Sequence, residues 1–461
     1  MQVTGRRGAL ALVLHSHMPY VEGFGTWPFG EEWLWEALAT VYPPLLDLLR
    51  DRPVTLGLTP VLCDQLELLN GEAGERFAAF LRDIRAPIHD MDAEGLERAG
   101  EPGLAAELRR AAGDYTHAEE TFEATGRDVI GAFRELPGVE LWTSAATHAV
   151  LPLLATDPGR RLQIGTGIAS HERRFGHFGG GFWLPECAYE PGIERDLAEH
   201  GVRCFCVDQT KPLGLGSADQ LEPVATAAGP VALPIDWQTV ELIWGPNGYP
   251  ASSAYRDYHG RTSHDLRPWS NSGAPYDRAA ALALAKEHAA AFVEHVAARL
   301  DRYEDERGRA GLVCCALDTE LIGHWWYEGP VFLEYVLAEA ERRGVDLVTL
   351  PEGLERVEPV ARELAASTWG VEKDLRTWDS PRVADFAFAT RAAELRTLAA
   401  QASDWAFITT HELAADYPAE RVRGHLAELN AALDSLDEPG GRDPKLRGLA
   451  PDLDLSAFSA P

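Results

Sequence analysis

Eight short apolar runs, spaced by helix-length intervals, constrain this chain more than any other feature of its sequence. They are ALALVLH ending at residue 15, VTLGLT (54–59), VELWTS (139–144), GFWLPE (181–186), VRCFCVD (202–208), VALPID (231–236), LVCCALD (312–318) and VDLVTL (345–350). Most are apolar on both faces, so both faces are buried. Amphipathic segments such as PGIERDLAEHG and YDRAAALALAKEHAAAFVEHVAARL alternate with them, which predicts parallel strands covered by helices: an α/β barrel or open sheet. His15, Ser144, Glu186, Asp208, Asp236 and Asp318 end many of the runs. In a barrel the C-terminal strand ends form the active-site mouth, so the pattern points to one catalytic site there.

The 461 residues could form roughly two or three domains, yet one barrel with additions accounts for them more economically. With 42 Lys+Arg against 72 Asp+Glu the formal net charge is -30, a field that repels phosphate backbones and anionic lipid. Nucleic acid and membrane surfaces are thereby excluded as expected partners. The apolar run GALALVL (8–14) is too short to span a bilayer and leads into HSHMP, so it reads as a buried strand, and a cytoplasmic protein is expected. Cys63, Cys187, Cys204, Cys206, Cys314 and Cys315 are scattered, several of them within strand runs, where packing is expected rather than bridging or structural zinc.

Two stretches interrupt the alternation. Residues 70–130 are rich in Ala, Glu and Arg with helical periodicity and read as a helical insertion; about 360–436 is read as helical again and forms a C-terminal helical domain. The expected division is 1–69 with 131–355 as the barrel, 70–130 as the insertion, 356–436 as the C-terminal domain and 437–461 as a mobile tail rich in Pro, Gly and Asp.

Three segments carry candidate chemistry. In GGGFWLPECAYEPGIE (179–194), Glu186 lies between an apolar strand and a helix start, where a pocket carboxylate and a capping Glu are both reasonable readings. In LVCCALDTELIGHWWYEGP (312–330), Asp318 ends a buried strand ahead of His324, Trp325 and Trp326; a tryptophan doublet in a polar loop suits the apolar faces of sugar rings. In HSHMPYVEGFGTWPFGEEWLWEA (15–37), His15 and His17 stand two positions apart on a strand and are expected to face opposite sides of it. Thirteen tryptophans, many near these segments, fit an aromatic, acid-bearing mouth that takes carbohydrate.

These segments resemble glycoside hydrolase family 57, in particular its 1,4-α-glucan branching subgroup. HSHMP fits the first motif H-x-H-x-P, and WPFGEEWLWEA its branching-type continuation, with Trp27 within it. TSAATHAVLPLL (143–154) is similar to the second, with His148; FGHFGGGFWLPECAYEPGIE to the third, with Glu186 at the nucleophile position; ALDTELIGHWWYEGP to the fourth, with Asp318 at the acid/base position. IWGPNGYPASSAYRDYH (243–259) and QASDWAFITT (401–410) resemble later segments. The resemblance spans about residues 8–425 and implies a distorted seven-stranded (β/α)7 barrel with the insertion and C-terminal helical domain above. It implies an α-1,4-glucan substrate and no cofactor. His15, His17 and His148 are then hydrogen-bonding groups with no metal required, and Trp27, Trp244, Trp325 and Trp405 are sugar-binding aromatics.

The implied chemistry is retaining: a carboxylate nucleophile and an acid roughly 5 to 5.5 Å apart, with a glucan hydroxyl or water resolving the glycosyl-enzyme. Asp318 must begin protonated, which burial and the Glu186 charge favour. The sequence departs from the subgroup at 208–236, which is short and lacks the tyrosine of a mobile lid, and at ALPID, which replaces an Arg-Asp pair. A mainly hydrolytic, amylase-type α-1,4-glucanase is therefore an alternative, unless residues around Trp369 and Trp378 close the site. A metal-dependent deacetylase or mannosidase built on H-x-H is a more distant one.

Overall fold

The computed structural model describes residues 8–25, 30–384, 386, 403–435 and 450–453. Its strands are β1 (Ala9–Ser16), β2 (Thr55–Leu58), β3 (Glu140–Ser144), β4 (Gly181–Trp183), β5 (Cys204–Val207), β6 (Val224–Ala225), β7 (Val231–Pro234), β8 (Leu312–Asp318), β9 (Asp346–Leu347) and β10 (Val360–Ala361). One sheet contains them in the order β10-β6-β7-β5-β4-β3-β2-β1-β8, with β9 beside β1. Neighbours from β7 through β8 in that order pair in parallel, whereas β6 runs antiparallel to β7.

The sheet is curled, because groups far apart in strand order meet. The Asp236 amide just past β7 donates to the Cys314 carbonyl of β8 at 2.9 Å. The thiols of Cys206 on β5 and Cys314 on β8 lie 4.0 Å apart. All six cysteines are buried free thiols. The expected α/β class and parallel strands are thus present.

Helices cover the outside. The longest, Arg278–Arg307, is started by the Asp277 carboxylate accepting from the Ala280 amide at 3.1 Å and buries Ala281, Ala285, Ala289, Phe292, Val293 and Val296. Alanines four apart let the helix lie close to its neighbours, and each large apolar side chain it buries contributes about 1.5–3 kcal/mol. The stretch 70–130 contains Glu72–Ala79, Ala86–Arg98 and Pro102–Ala124, joined through the π-turn Phe80–Arg85. Among the described residues no helix is long and apolar enough to cross a membrane.

Three expectations need correction. VDLVTL forms only the two-residue β9, because Thr349 and Glu352 make a capping box, with the Glu352 carboxylate accepting from the Thr349 amide at 2.9 Å, that starts the helix Leu350–Arg356. Residues 360–378 contain β10 and the 3-10 turns Val371–Lys373 and Leu375–Thr377 rather than a continuous helix. Gly370 packs there against Trp378, where a β-carbon would lie 2.7 Å from the ring. In the stretch expected to be a mobile tail, residues 450–453 are docked: the Ala450 amide donates to Asp64 at 2.7 Å, and Asp452 pairs with Arg173 at 2.7 Å. Much of the helix expected across 383–407, and the rest of the tail, lie outside the described residues.

Candidate active site

Register alone brings the first site groups together. On β1, His15 stands level with Asp318 of β8 and with Gly57 of β2. A β-carbon at Gly57 would lie 3.5 Å from the His15 ring nitrogen Nδ1, so glycine leaves that ring its space. His17 follows the end of β1 two residues after His15, and side chains two apart along a strand share a face, so the expectation that the pair faces opposite sides is corrected by the strand period itself. Its ring stacks 4.0 Å from that of His148, and His15 lies 4.9 Å from His148. All three histidines therefore gather on one side.

Glu186 is presented differently. β4 stops at Trp183, and Glu186 and Cys187 both adopt left-handed backbone with φ of 60 and 50. Such residues cost on the order of 1–3 kcal/mol each and persist only where the surroundings hold them. Here the Cys187 amide donates to Leu184 at 2.8 Å and the Trp369 amide donates to the Glu186 carbonyl at 3.0 Å. Two further donors reach the side chain: Trp369 Nε1 donates to Oε2 at 2.9 Å and Ser403 Oγ to Oε1 at 3.1 Å. His148 Nδ1 stands 3.6 Å from Oε1 and 2.9 Å from the Ser403 hydroxyl.

The two carboxyl groups differ in their electrostatics. Burial lifts Glu186 to about 7, opposed by the Trp369 donor, increased by Asp404, and opposed again by His17 and Ser403. Asp318 is raised well above the usual carboxylate range by burial, then by Glu320, Glu186 and Asp404, with nothing among these causes opposing the rise. Glu320 is itself lifted to about 7 by burial, against the Tyr42 hydroxyl that donates to it at 2.6 Å. His15 and His148 are pushed well below their usual range, first by burial, so both are neutral. His17 is raised: burial works against its charge, but the Asp404 carboxylate at 2.7 Å, with Glu186 and Glu320, outweighs it.

His17, His148 and Asp404 present ligand atoms within 4.8 Å of one another. The ring nitrogens are nonetheless committed, those of His17 to Thr59 and Asp404, those of His148 to His15 and Ser403. A cation there would have to displace some of those partners.

The expected aromatics separate. Trp325 is 37 % exposed and its ring lies 4.6 Å from that of Tyr258, while its neighbour Trp326 is core. Trp244 ends the helix Trp237–Trp244 and is 50 % exposed. Trp405, expected at a sugar, is instead 2 % exposed and packs toward Tyr417, Arg421 and His425, as befits the core side of the helix Ser403–Thr410. Trp27 lies outside the described residues. Glu320, Ser403 and Asp404 were not singled out from the sequence, and Trp369 only as part of a closing element. Ser403 and Asp404 immediately precede Trp405 in a quoted motif, but Ser-Asp at a helix start reads as ordinary capping.

Residues 11–365 match the model of glycosyl hydrolase family 57. The chain belongs to that family. Residues 387–450 match a second model, the C-terminal region of 1,4-alpha-glucan branching enzymes. A 1,4-alpha-glucan branching enzyme of Thermococcus kodakarensis is 32% identical across 93% of this chain and 74% of its own length. A family-57 branching enzyme from Pyrococcus horikoshii has a solved structure that aligns with a TM-score of 0.86 at 30% identity, covering 98% of this chain and 97% of that one. The structure of an α-amylase from Thermotoga maritima, at 24% identity and a TM-score of 0.80 over 96% of both chains, shares the fold. In this family-57 chain the strand-end groups fall within the first matched region, and Ser403 and Asp404 within the second.

Proposed function

We propose that the chain is a retaining 1,4-α-glucan branching enzyme in which Glu186 is the nucleophile and Asp318 the acid/base. The observation that carries the assignment is the unequal support of the two carboxyls. Glu186 receives two donors, which favour its charged form, whereas the causes acting on Asp318 all favour the neutral acid. A Glu186 oxygen attacks the anomeric carbon as Asp318 gives its proton to the departing 4-oxygen. The resulting Asp318 carboxylate then takes the proton of an acceptor 6-hydroxyl, whose oxygen displaces Glu186 and forms the α-1,6 branch. His15, His17 and His148 line the same side of the pocket, and Trp244 and Trp325 present the exposed aromatic surface suited to sugar rings. Trp27 keeps its role by resemblance alone.

The architecture of this reading is a distorted (β/α)7 barrel from 1–69 and 131–355, an insertion at 70–130, a C-terminal domain over 356–436 whose described helices are Ser403–Thr410 and Tyr417–Ser435, and an end segment at 437–461. The enzyme works on amylose-like or glycogen-like α-1,4-glucan in the cytoplasm. The test is an amylose digest in which reducing ends are counted before and after debranching. Branching gives many new ends only after debranching; a digest whose new ends all appear before it is hydrolysis and overturns the reading.

A further inference from the structure

We propose that Ser403 is a positioning residue for Glu186, the end of a one-way hydrogen-bond chain that runs from His15 through His148 and Ser403 to the carboxylate. The inference rests on Glu186 being the nucleophile.

Proton counting sets the direction. An ionised carboxylate only accepts, so the single Ser403 proton points to Oε1 at 3.1 Å. The Ser403 oxygen must then accept from His148 Nδ1–H at 2.9 Å. A neutral His148 is left with a bare Nε2, which accepts from His15 Nε2–H at 3.0 Å. That leaves His15 Nδ1 without a proton, and it is indeed a buried nitrogen with no hydrogen-bond partner. Any other direction would place two protons, or none, between one pair of atoms. Burial keeps both imidazoles neutral, as the scheme requires.

The chain is also held from the backbone. Ser403 donates its amide to the His148 carbonyl at 3.3 Å, and His148 has left-handed backbone with φ of 56. The next residue, Asp404, takes His17. One helix start thus fixes the tautomer of one histidine and the charge of another. When Glu186 becomes an ester its oxygens still only accept, so no donor need reorient between the two half-reactions, which is the condition for preorganised stabilisation. Among the described residues, the titratable groups that act on Glu186 are its neighbour Cys187, His17 after β1, His148 after β3, Asp318 at the end of β8 and Asp404 of the C-terminal helix, with His15 and Glu320 behind them on His148 and Asp318.

The test compares the full-length enzyme with Ser403→Ala, Ser403→Thr and Glu186→Gln by kcat/KM against pH on amylose, with melting curves as a folding control. Ser403→Ala removes a donor to the charged form. It is expected to lower kcat/KM about ten- to a hundredfold and to move the acid limb up by about half a unit or more. Ser403→Thr keeps the hydroxyl and should restore most of the rate and the original limb. Equal losses in both variants with an unmoved limb, or a wild-type profile for Ser403→Ala while Glu186→Gln is inactive, would overturn the inference alone. Activity retained by Glu186→Gln would instead remove the nucleophile reading beneath it. Should Ser403→Ala fail to fold, the wild-type protein still decides: nitrogen-15 shifts of the histidines should report Nδ1–H for His148 and Nε2–H for His15, and the opposite tautomers overturn the chain.

Discussion

The ends of β4 and β8 each deliver one carboxyl group to the same buried cluster by opposite means. At β8 the strand is regular to its last residue, and Asp318 arrives by register beside His15. At β4 the backbone turns left-handed through Glu186 and Cys187 and is tied down by Trp369. The regular end leaves its carboxyl among other carboxyls, so the cheapest state is the neutral acid. The strained end aims its carboxyl at two donors and stabilises the anion. The lesson is that the division of labour between chemically similar groups is set by how each strand terminates.

The harshest way to break this comparison is to remove either group. Glu186→Gln and Asp318→Asn should each fold and lose about three decades of kcat or more, a few kcal/mol of transition-state stabilisation. A variant keeping more than roughly a tenth of wild-type kcat refutes the assignment for that residue, because a factor of ten is worth only about 1.4 kcal/mol. Azide should restore turnover in one or both.

Smaller changes sharpen it. Trp369→Phe deletes the Oε2 donor and should raise the acid limb of kcat/KM, which lies near the Glu186 value of about 7, with a loss of about tenfold. Glu320→Gln removes the leading charge that raises Asp318, so the alkaline limb should move down while the acid limb changes less. An unmoved alkaline limb would mean that Asp318 is not the acid.

A stability measurement separates function from folding. The Glu186 carboxyl titrates higher in the folded protein than in the unfolded chain, so its contribution turns unfavourable as pH rises from about 4.5 toward 7. Glu186→Gln should therefore be more stable than wild type at pH 8, on the order of 1–3 kcal/mol, and the gain should vanish at pH 4. A gain independent of pH would trace to something other than that charge. The smallest expected effect is that of a chelator, which should leave activity unchanged; loss restored by zinc would show that the His17, His148 and Asp404 cluster holds a metal after all.

Much of this was legible in one dimension. Apolar runs buried on both faces announced the parallel sheet, and the residues closing them, His15, Glu186 and Asp318, came out at strand ends because strand boundaries and pocket positions coincide in such folds. What could not be read was anything set by contact between distant segments. His17 shares the face of His15 by the strand period alone, but its partner Asp404 comes from a distant segment. Trp405 drew attention by its size, while Ser403 and Asp404 beside it, which reach Glu186 and His17, carried no local signal beyond capping. Glu320, two residues from Asp318, was hidden in the same way, since its effect needs only proximity and burial.

The His17–Asp404 contact spans 387 positions of sequence. In a chain made from its N-terminus, every strand of the sheet is synthesised before Ser403 and Asp404, which contact Glu186 and His17. Until then His17 has Thr59 but not Asp404, and the Glu186 Oε1 lacks its serine. Closing so long a loop costs little more than closing a short one, because the penalty grows only logarithmically with length. The Ser403 donor to Glu186 and the Asp404 partner of His17 can therefore join the site only after the strands that carry Glu186 and Asp318 have been made.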